Sequence, residues 1–371
     1  MKNQARPSAG VTQPPARVRR LFEHAEDLDA VVTVNGPPDA TFFWATGLHD
    51  GGTFEGSAAI LRPDEPVTVV TSPLEETTAR RSDNRVVIYD DREDFWDELA
   101  DRFTDGERVG FDATQVSVDR HRKLDDELPV DLEPADEAIQ RARLVKDPAE
   151  VDRIEEAARI TDRIAEEMQT YVDRADEEAE LAAGIVHEIL TEGAKLSFDP
   201  IVANGAGSAE PHYAPGRAEL TDGPLLIDMG AQLAGYCSDI TRTYAISEPS
   251  KQLRRMHEVV LEAQRAALDA IQPGMEAADV HDVARQVIDD TRFEGRFIHS
   301  LGHALGVEVH DGPGLSPSSE VTIEEGMVFT VEPGVYVPGE AGVRIEEDVV
   351  VTSNGCRRLT HADRGLRTLS L

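Results

Sequence analysis

The stretch LIDMGAQLAGYCSDITRTY, residues 226–244, decides how this chain is read. Its apolar opening, central Ala-Gly-Tyr and closing Thr-Arg-Thr suit two β-strands joined by a turn inside a protein core. Yet it carries Asp228 and Asp239, eleven residues apart. A carboxylate buried without a partner is costly, so the hairpin predicts a cation beside it.

The elements before the hairpin are legible from local signals. In RLVKDPAEVDRIEEAARITDRIAEEM, Asp147 can cap a helix, Pro148 takes its first position, and Glu150 completes a capping box. Val151, Ile154, Ala158, Ile164 and Met168 recur at helical spacing and give one buried face. A second helix, EEAELAAGIVHEILTEG, stops at Gly193, a glycine just past the last turn.

After the hairpin the order recurs. A helix runs from Ser250 to before Pro273-Gly274, another runs through ADVHDVARQVIDD, and strands follow with Glu332 and Glu346. The helix starts Asp147 and Ser250 lie 103 residues apart, and the acids Asp228 and Glu332 lie 104 apart. Matching offsets point to an internal repeat of helix, helix and acidic hairpin. Two such halves, face to face, bring four carboxylates to one place.

Before the second hairpin lies FIHSLGHALGVEVHDGPG, with His299, His303 and His310. Gly302 and Gly306 around His303 permit close backbone approach. Four carboxylates with one imidazole suit Mn²⁺ or Co²⁺ better than structural zinc, which favours thiolates. Four charges exceed what one ion takes in a closed site but suit two, about 3.5–4 Å apart; such a pair lowers the pKa of a bridging water and polarises a carbonyl.

The chain has 371 residues, 40% of them apolar, enough for two domains with proper cores. The expected division is a flexible Pro-, Ala- and Gln-rich tail over residues 1–20, an α/β domain over 21–140 and an α+β catalytic domain over 141–371. In the α/β domain DAVVTVN, SAAILRP, PVTVVTS and NRVVIYD read as strands and REDFWDELADRF as a helix. Nothing in it clusters catalytic residue types, and His49 in TGLHDGG reads as a loop residue.

Acids outnumber bases 72 to 37, a net charge of −35, and only five of the bases are lysine. A surface so evenly negative repels itself, a lever used by halophiles, and points to a salt-rich cytoplasm. It excludes nucleic acid and anionic membranes as partners, because phosphate contacts need clustered Lys and Arg. Cys237 and Cys356 give neither a disulfide framework nor a CxxC metal spacing. The N-terminus lacks the apolar core of a signal peptide, and no run reaches the ~18 apolar residues of a membrane span. The expected location is cytoplasmic.

The strings LIDMGAQLAGYCSDITRTY, HSLGHALGVEVH, FTVEPGVYV and GVRIEEDVVVT resemble those of the creatinase-type metallopeptidases of pita-bread fold, the Xaa-Pro peptidases that include aminopeptidase P and prolidase. The resemblance is strong over residues 140–371. It is weaker before, where ATFFWATGL resembles a strand-loop signature of the family's N-terminal domain. It implies a C-terminal pita-bread fold preceded by a smaller creatinase-type domain, and a hydrolase of short peptides with proline at the second position.

By the same resemblance Asp228 and Asp239 hold the first metal, with Asp239 bridging. His303 and Glu332 hold the second, and Glu346 bridges both. Glu332 would also carry the proton from water to the leaving amine. His310 would steady the tetrahedral intermediate. His212, in AEPHYAPG, and His299 would line the substrate pocket, and Arg344 would orient a carboxylate through a bidentate fork. The other seven histidines, His281 among them, read as surface or core. A homodimer formed through the N-terminal domain is also implied.

Two departures stand out. Ala304 replaces a glycine common in the family, a small change. DGPGLSPSS, directly after His310, lacks the arginine with which strict prolidases grip a dipeptide's carboxylate, so the choice between aminopeptidase and dipeptidase stays open. Creatinase and the ectoine hydrolases share the fold, but creatinase lacks the metal ligands that are all present here. Non-catalytic pita-bread modules have typically lost ligands as well. Methionine aminopeptidase has no comparable N-terminal domain, and its glutamates lie farther apart.

Overall fold

The computed structural model of the chain describes residues 13–36, 39–49 and 52–371. The chain divides into two compact units, Met1–Arg143 and Leu144–Leu371. No helix among the described residues is long and apolar enough to cross a membrane.

The first unit is an α/β sheet. Strands β1 (Ala30–Asn35), β2 (Ser57–Arg62), β3 (Glu65–Thr71), β4 (Arg85–Ile88), β5 (Glu107–Phe111) and β6 (Val130–Pro134) lie in the order β4-β3-β2-β1-β5-β6. β1 pairs antiparallel with β2 and parallel with β5. Two expectations fail here. Part of the stretch read as a tail is the helix Ala16–Glu23, which buries Val18, Leu21 and Phe22. Those positions share one helical face, a period outweighed in the sequence by the surrounding prolines. ATFFWATGL is no strand-loop but the helix Ala40–Thr46, because Asp39 caps it by accepting Phe42 N–H and Gly47 ends it at φ 69°. The stretch REDFWDELADRF is helical only over Phe95–Ala100, after a 3-10 turn.

The second unit carries the repeat. Its first half opens with the helix Pro148–Glu166, where Asp147 accepts Ala149 and Glu150 N–H while Glu150 returns to Asp147 N–H. The helix Glu178–Thr191 follows and is ended by Gly193 at φ 79°. Then come β7 (Lys195–Leu196), β8 (Ile201–Asn204), β9 (Gly223–Met229), β10 (Ala231–Leu233), β11 (Tyr236–Cys237) and β12 (Ile240–Ile246). β9 and β12 pair antiparallel with Asp228 opposite Thr241, while β10 and β11 form a tight hairpin tip.

The second half repeats this plan with helices Lys251–Ala270 and Ala277–Asp289, the first capped by Ser250. Its strands are β13 (Val328–Val331), β14 (Gly334–Val337), β15 (Ala341–Arg344) and β16 (Glu347–Thr352), followed by β17 (Gly355–Arg358) and β18 (Thr368–Leu369). β13 pairs with β16 and β14 with β15, so an outer pair again encloses an inner hairpin. Each half packs its helices on its own strands in one apolar cluster, around Ile164, Ile185 and Ile227 in the first and Val260, Val280 and Phe329 in the second.

Candidate functional site

The repeat places its four acids at equivalent points of the two strand sets. Asp228 lies on β9 and Asp239 just ahead of β12; Glu332 follows β13 and Glu346 precedes β16. All four, with His303, line one cleft of about 1010 Å³. Ligand atoms of Asp239, His303 and Glu346 lie within 4.8 Å of one another.

His303 is held by its backbone. Its N–H donates to Thr330 Oγ1 at 3.0 Å, and Thr330 N–H returns to its carbonyl at 2.9 Å. Gly302 must be glycine for this approach, since a Cβ there would stand 1.9 Å from Thr330 O. Nδ1 lies 3.2 Å from Ala304 O, and Nε2 lies 3.5 Å from Asp239 Oδ2 and 3.6 Å from Glu332 Oε1. A proton on Nδ1 satisfies the carbonyl and leaves the Nε2 lone pair aimed at the acids, the tautomer a metal ligand needs. Burial pushes the imidazole down to about 4, which keeps it neutral.

The acids are short of partners. Asp228 Oδ1 and Asp239 Oδ1 are buried with no hydrogen bond. Burial, reinforced by neighbouring carboxylates, pushes Asp239 and Glu346 well above the ordinary carboxylate range, and burial pushes Glu332 to about 8. Orphaned carboxylate oxygens facing a histidine lone pair repel one another unless a cation sits among them. The donor set therefore fits divalent metal ions.

A surrounding set of side chains aims these groups. Thr241 donates to Glu346 Oε2 at 2.6 Å, and Asp239 N–H donates to Asp348 Oδ2 at 3.0 Å. Arg344 does not make the expected bidentate fork on one carboxylate. It reaches Asp228 Oδ2 at 2.6 Å, Thr241 Oγ1 at 2.9 Å, Tyr336 Oη at 2.9 Å and Pro211 O at 3.4 Å, because four acceptors surround it and Glu332 stays 4.0 Å away.

His212, His299 and His310 all line the cleft. The His310 ring centre lies 4.2 Å from that of His303, and His212 and His310 are exposed. Both nitrogens of His299 are engaged, Nδ1 with Ser300 O at 2.8 Å and Nε2 with Tyr336 Oη at 2.9 Å. His281 is a buried core residue whose Nδ1 accepts Leu301 N–H.

Thr241, Tyr336 and Asp348 escaped the sequence reading. One signal was available: Asp239, Thr241 and Thr243 alternate along a buried strand and so share its face.

The model of metallopeptidase family M24 matches residues 152–353, and that of the creatinase/prolidase N-terminal domain matches residues 16–145. The chain is 34% identical to an Xaa-Pro dipeptidase of Pyrococcus furiosus, over 90% of this chain and 94% of that one. A prolidase structure from Thermococcus sibiricus superposes with a TM-score of 0.82 and 32% identity, covering 97% of this chain and 100% of that one. An X-Pro aminopeptidase from Thermotoga maritima gives 0.85 and 31%, over 95% and 100%. The chain belongs to metallopeptidase family M24, as a peptide hydrolase with a creatinase/prolidase-type N-terminal domain.

Proposed function

We propose that this chain removes the N-terminal residue from short peptides whose second residue is proline, with two divalent ions, Mn²⁺ or Co²⁺, as cofactors. The observation that carries the reading is the convergence of Asp228, Asp239, His303, Glu332 and Glu346 in one cleft beside His212 and His310. The named relatives, dipeptidase and aminopeptidase alike, support the substrate class.

When bound, the ions supply Lewis acidity at the scissile carbonyl and its attacking water. Asp228, Asp239, Glu332 and Glu346 would hold them with His303, and Arg344 and Thr241 fix Asp228 and Glu346. Glu332 takes the water's proton on its carboxylate and returns it to the proline nitrogen, which cannot leave as an anion. His310 donates to the oxygen that gains charge, and His212 contacts the bound peptide. His299, tied to Tyr336, serves Arg344 rather than the substrate.

Arg344 is the only Arg or Lys lining the cleft among the described residues, and it is committed to Asp228. A dipeptide's carboxylate finds no free cation there, which favours peptides longer than two residues. We place the protein in the cytoplasm of a salt-rich cell as a homodimer, on its charge of −35 and the family resemblance. Metal analysis of three variants tests the assignments. His303→Ala should lose an ion. His310→Ala should keep both and lose ~10²–10³-fold in turnover. Glu332→Gln should lose at least ~10²-fold. If His310→Ala loses an ion and His303→Ala keeps both, the two histidines are exchanged.

A further inference from the structure

His212 rides on residues 205–221, a strap between β8 and β9 that contains only a 3-10 turn, Gly205–Ala209. The histidine is exposed, so its place over the cleft depends on what fastens the strap. Asn204 holds both feet: Nδ2 donates to Thr221 O at 3.1 Å and Pro224 O at 2.9 Å, while Oδ1 accepts Thr221 N–H at 2.7 Å.

Glu178, 1% exposed at the start of its helix, holds the middle. Its Oε1 accepts Asn204 N–H at 2.9 Å; its Oε2 accepts Tyr213 Oη at 2.8 Å and Gly216 N–H at 3.3 Å. Backbone bonds from Glu178 N–H to Ala218 O and Ala179 N–H to Gly216 O close the seam. Tyr213 follows His212 directly, and its ring lies over Gly207, where a Cβ would come within 2.9 Å.

A buried carboxylate spent on a loop, with no ion pair among the described residues, needs a reason. We propose that Glu178 and Tyr213 form a latch that sets His212 over the cleft, and that both are positioning residues for substrate capture. The proposal rests on the reading of His212 as a substrate contact. Opening the latch loosens the half of the strap after His212, while Gly342 N–H on Ser208 Oγ and Arg344 on Pro211 O still hold the half before it. The peptide then loses a contact made equally in the ground and transition states, so KM rises while kcat holds.

Tyr213→Phe removes one hydroxyl from a half-buried ring and leaves Asn204 and Gly216 on Glu178. Gly207→Ala pushes the ring aside by a second route. Arg217, exposed within the strap, offers trypsin a bond that is cut only on local opening. Both variants should be cut there about tenfold faster than the unaltered protein, the worth of one hydrogen bond to a charged group. KM for an Xaa-Pro peptide should rise by a similar factor, with kcat within about twofold. Unchanged cleavage at Arg217 in both variants overturns the latch. Faster cleavage with unchanged KM, or a fall in kcat alone, overturns the positioning role. If the unaltered protein cleaves no Xaa-Pro peptide, the functional reading fails, and cleavage at Arg217 still decides the latch.

Discussion

Thr241 donates its hydroxyl to Glu346 Oε2 at 2.6 Å, a bond between residues 105 apart in the chain. Thr241 Oγ1 in turn accepts Arg344 Nε–H at 2.9 Å, and Glu346 N–H donates to Thr241 O at 3.1 Å. One threonine of the first hairpin thus sets the side chain and the backbone of an acid in the second.

Thr241→Val keeps the shape and removes both side-chain bonds. Each buried group left unpaired costs ~1–3 kcal/mol. Mn²⁺ affinity measured by titration calorimetry should fall at least about tenfold, with a lower Tm. An unchanged Kd contradicts the role given to Thr241.

Asp39 supplies a pH signature in the first unit. Burial, opposed by the Phe42 N–H it accepts, raises its carboxyl to about 6 from 3.8. The folded state keeps a proton that the unfolded chain releases between those values, so this group's contribution to stability falls as pH rises through the window. Asp39→Asn, neutral and still able to cap, escapes the penalty. It should gain ~2–3 kcal/mol over the unaltered protein above pH 6 and lose that gain below pH 4, read by urea unfolding. A difference independent of pH contradicts the assignment.

Lys146 Nζ lies 3.4 Å from Asp311 Oδ2, with side chains 0% and 2% exposed. Asp311 follows His310 and donates its N–H to Ala304 O at 2.8 Å, so the pair anchors the loop between the two cleft histidines. Asp311→Asn removes the carboxylate charge from this buried pair, while Lys146 Nζ still donates to Leu144 O at 3.3 Å, and should lower the thermal midpoint by several degrees. A shift of less than a degree contradicts this.

The charge of −35 predicts a salt response. At 1 M salt the screening length is ~3 Å, short enough to quiet repulsion between surface carboxylates. Tm should rise with KCl into the molar range; a flat profile contradicts the salt-adapted reading.

What the sequence disclosed follows from range. Asp147, Pro148 and Glu150 act within one helical turn, so their capping box was legible from spacing alone. The repeat was legible because both halves keep the same order of short-range signals. ATFFWATGL misled because aromatic and β-branched residues favour strands, while Asp39 and Gly47, at its margins, decide the helix. Arg344 was visible as a charge in a buried strand, but its division among Asp228, Thr241 and Tyr336 depends on pairing between distant strands. Thr241 was hidden by being an ordinary strand former.

The most direct test of the account is release of the N-terminal residue from an Xaa-Pro-Xaa peptide by metal-free protein titrated with Mn²⁺ in molar KCl. Four carboxylates and His303 in one cleft predict no release without metal and a rise that saturates at two ions per chain. Release undiminished in protein shown metal-free by elemental analysis, or saturation at a single ion, contradicts it.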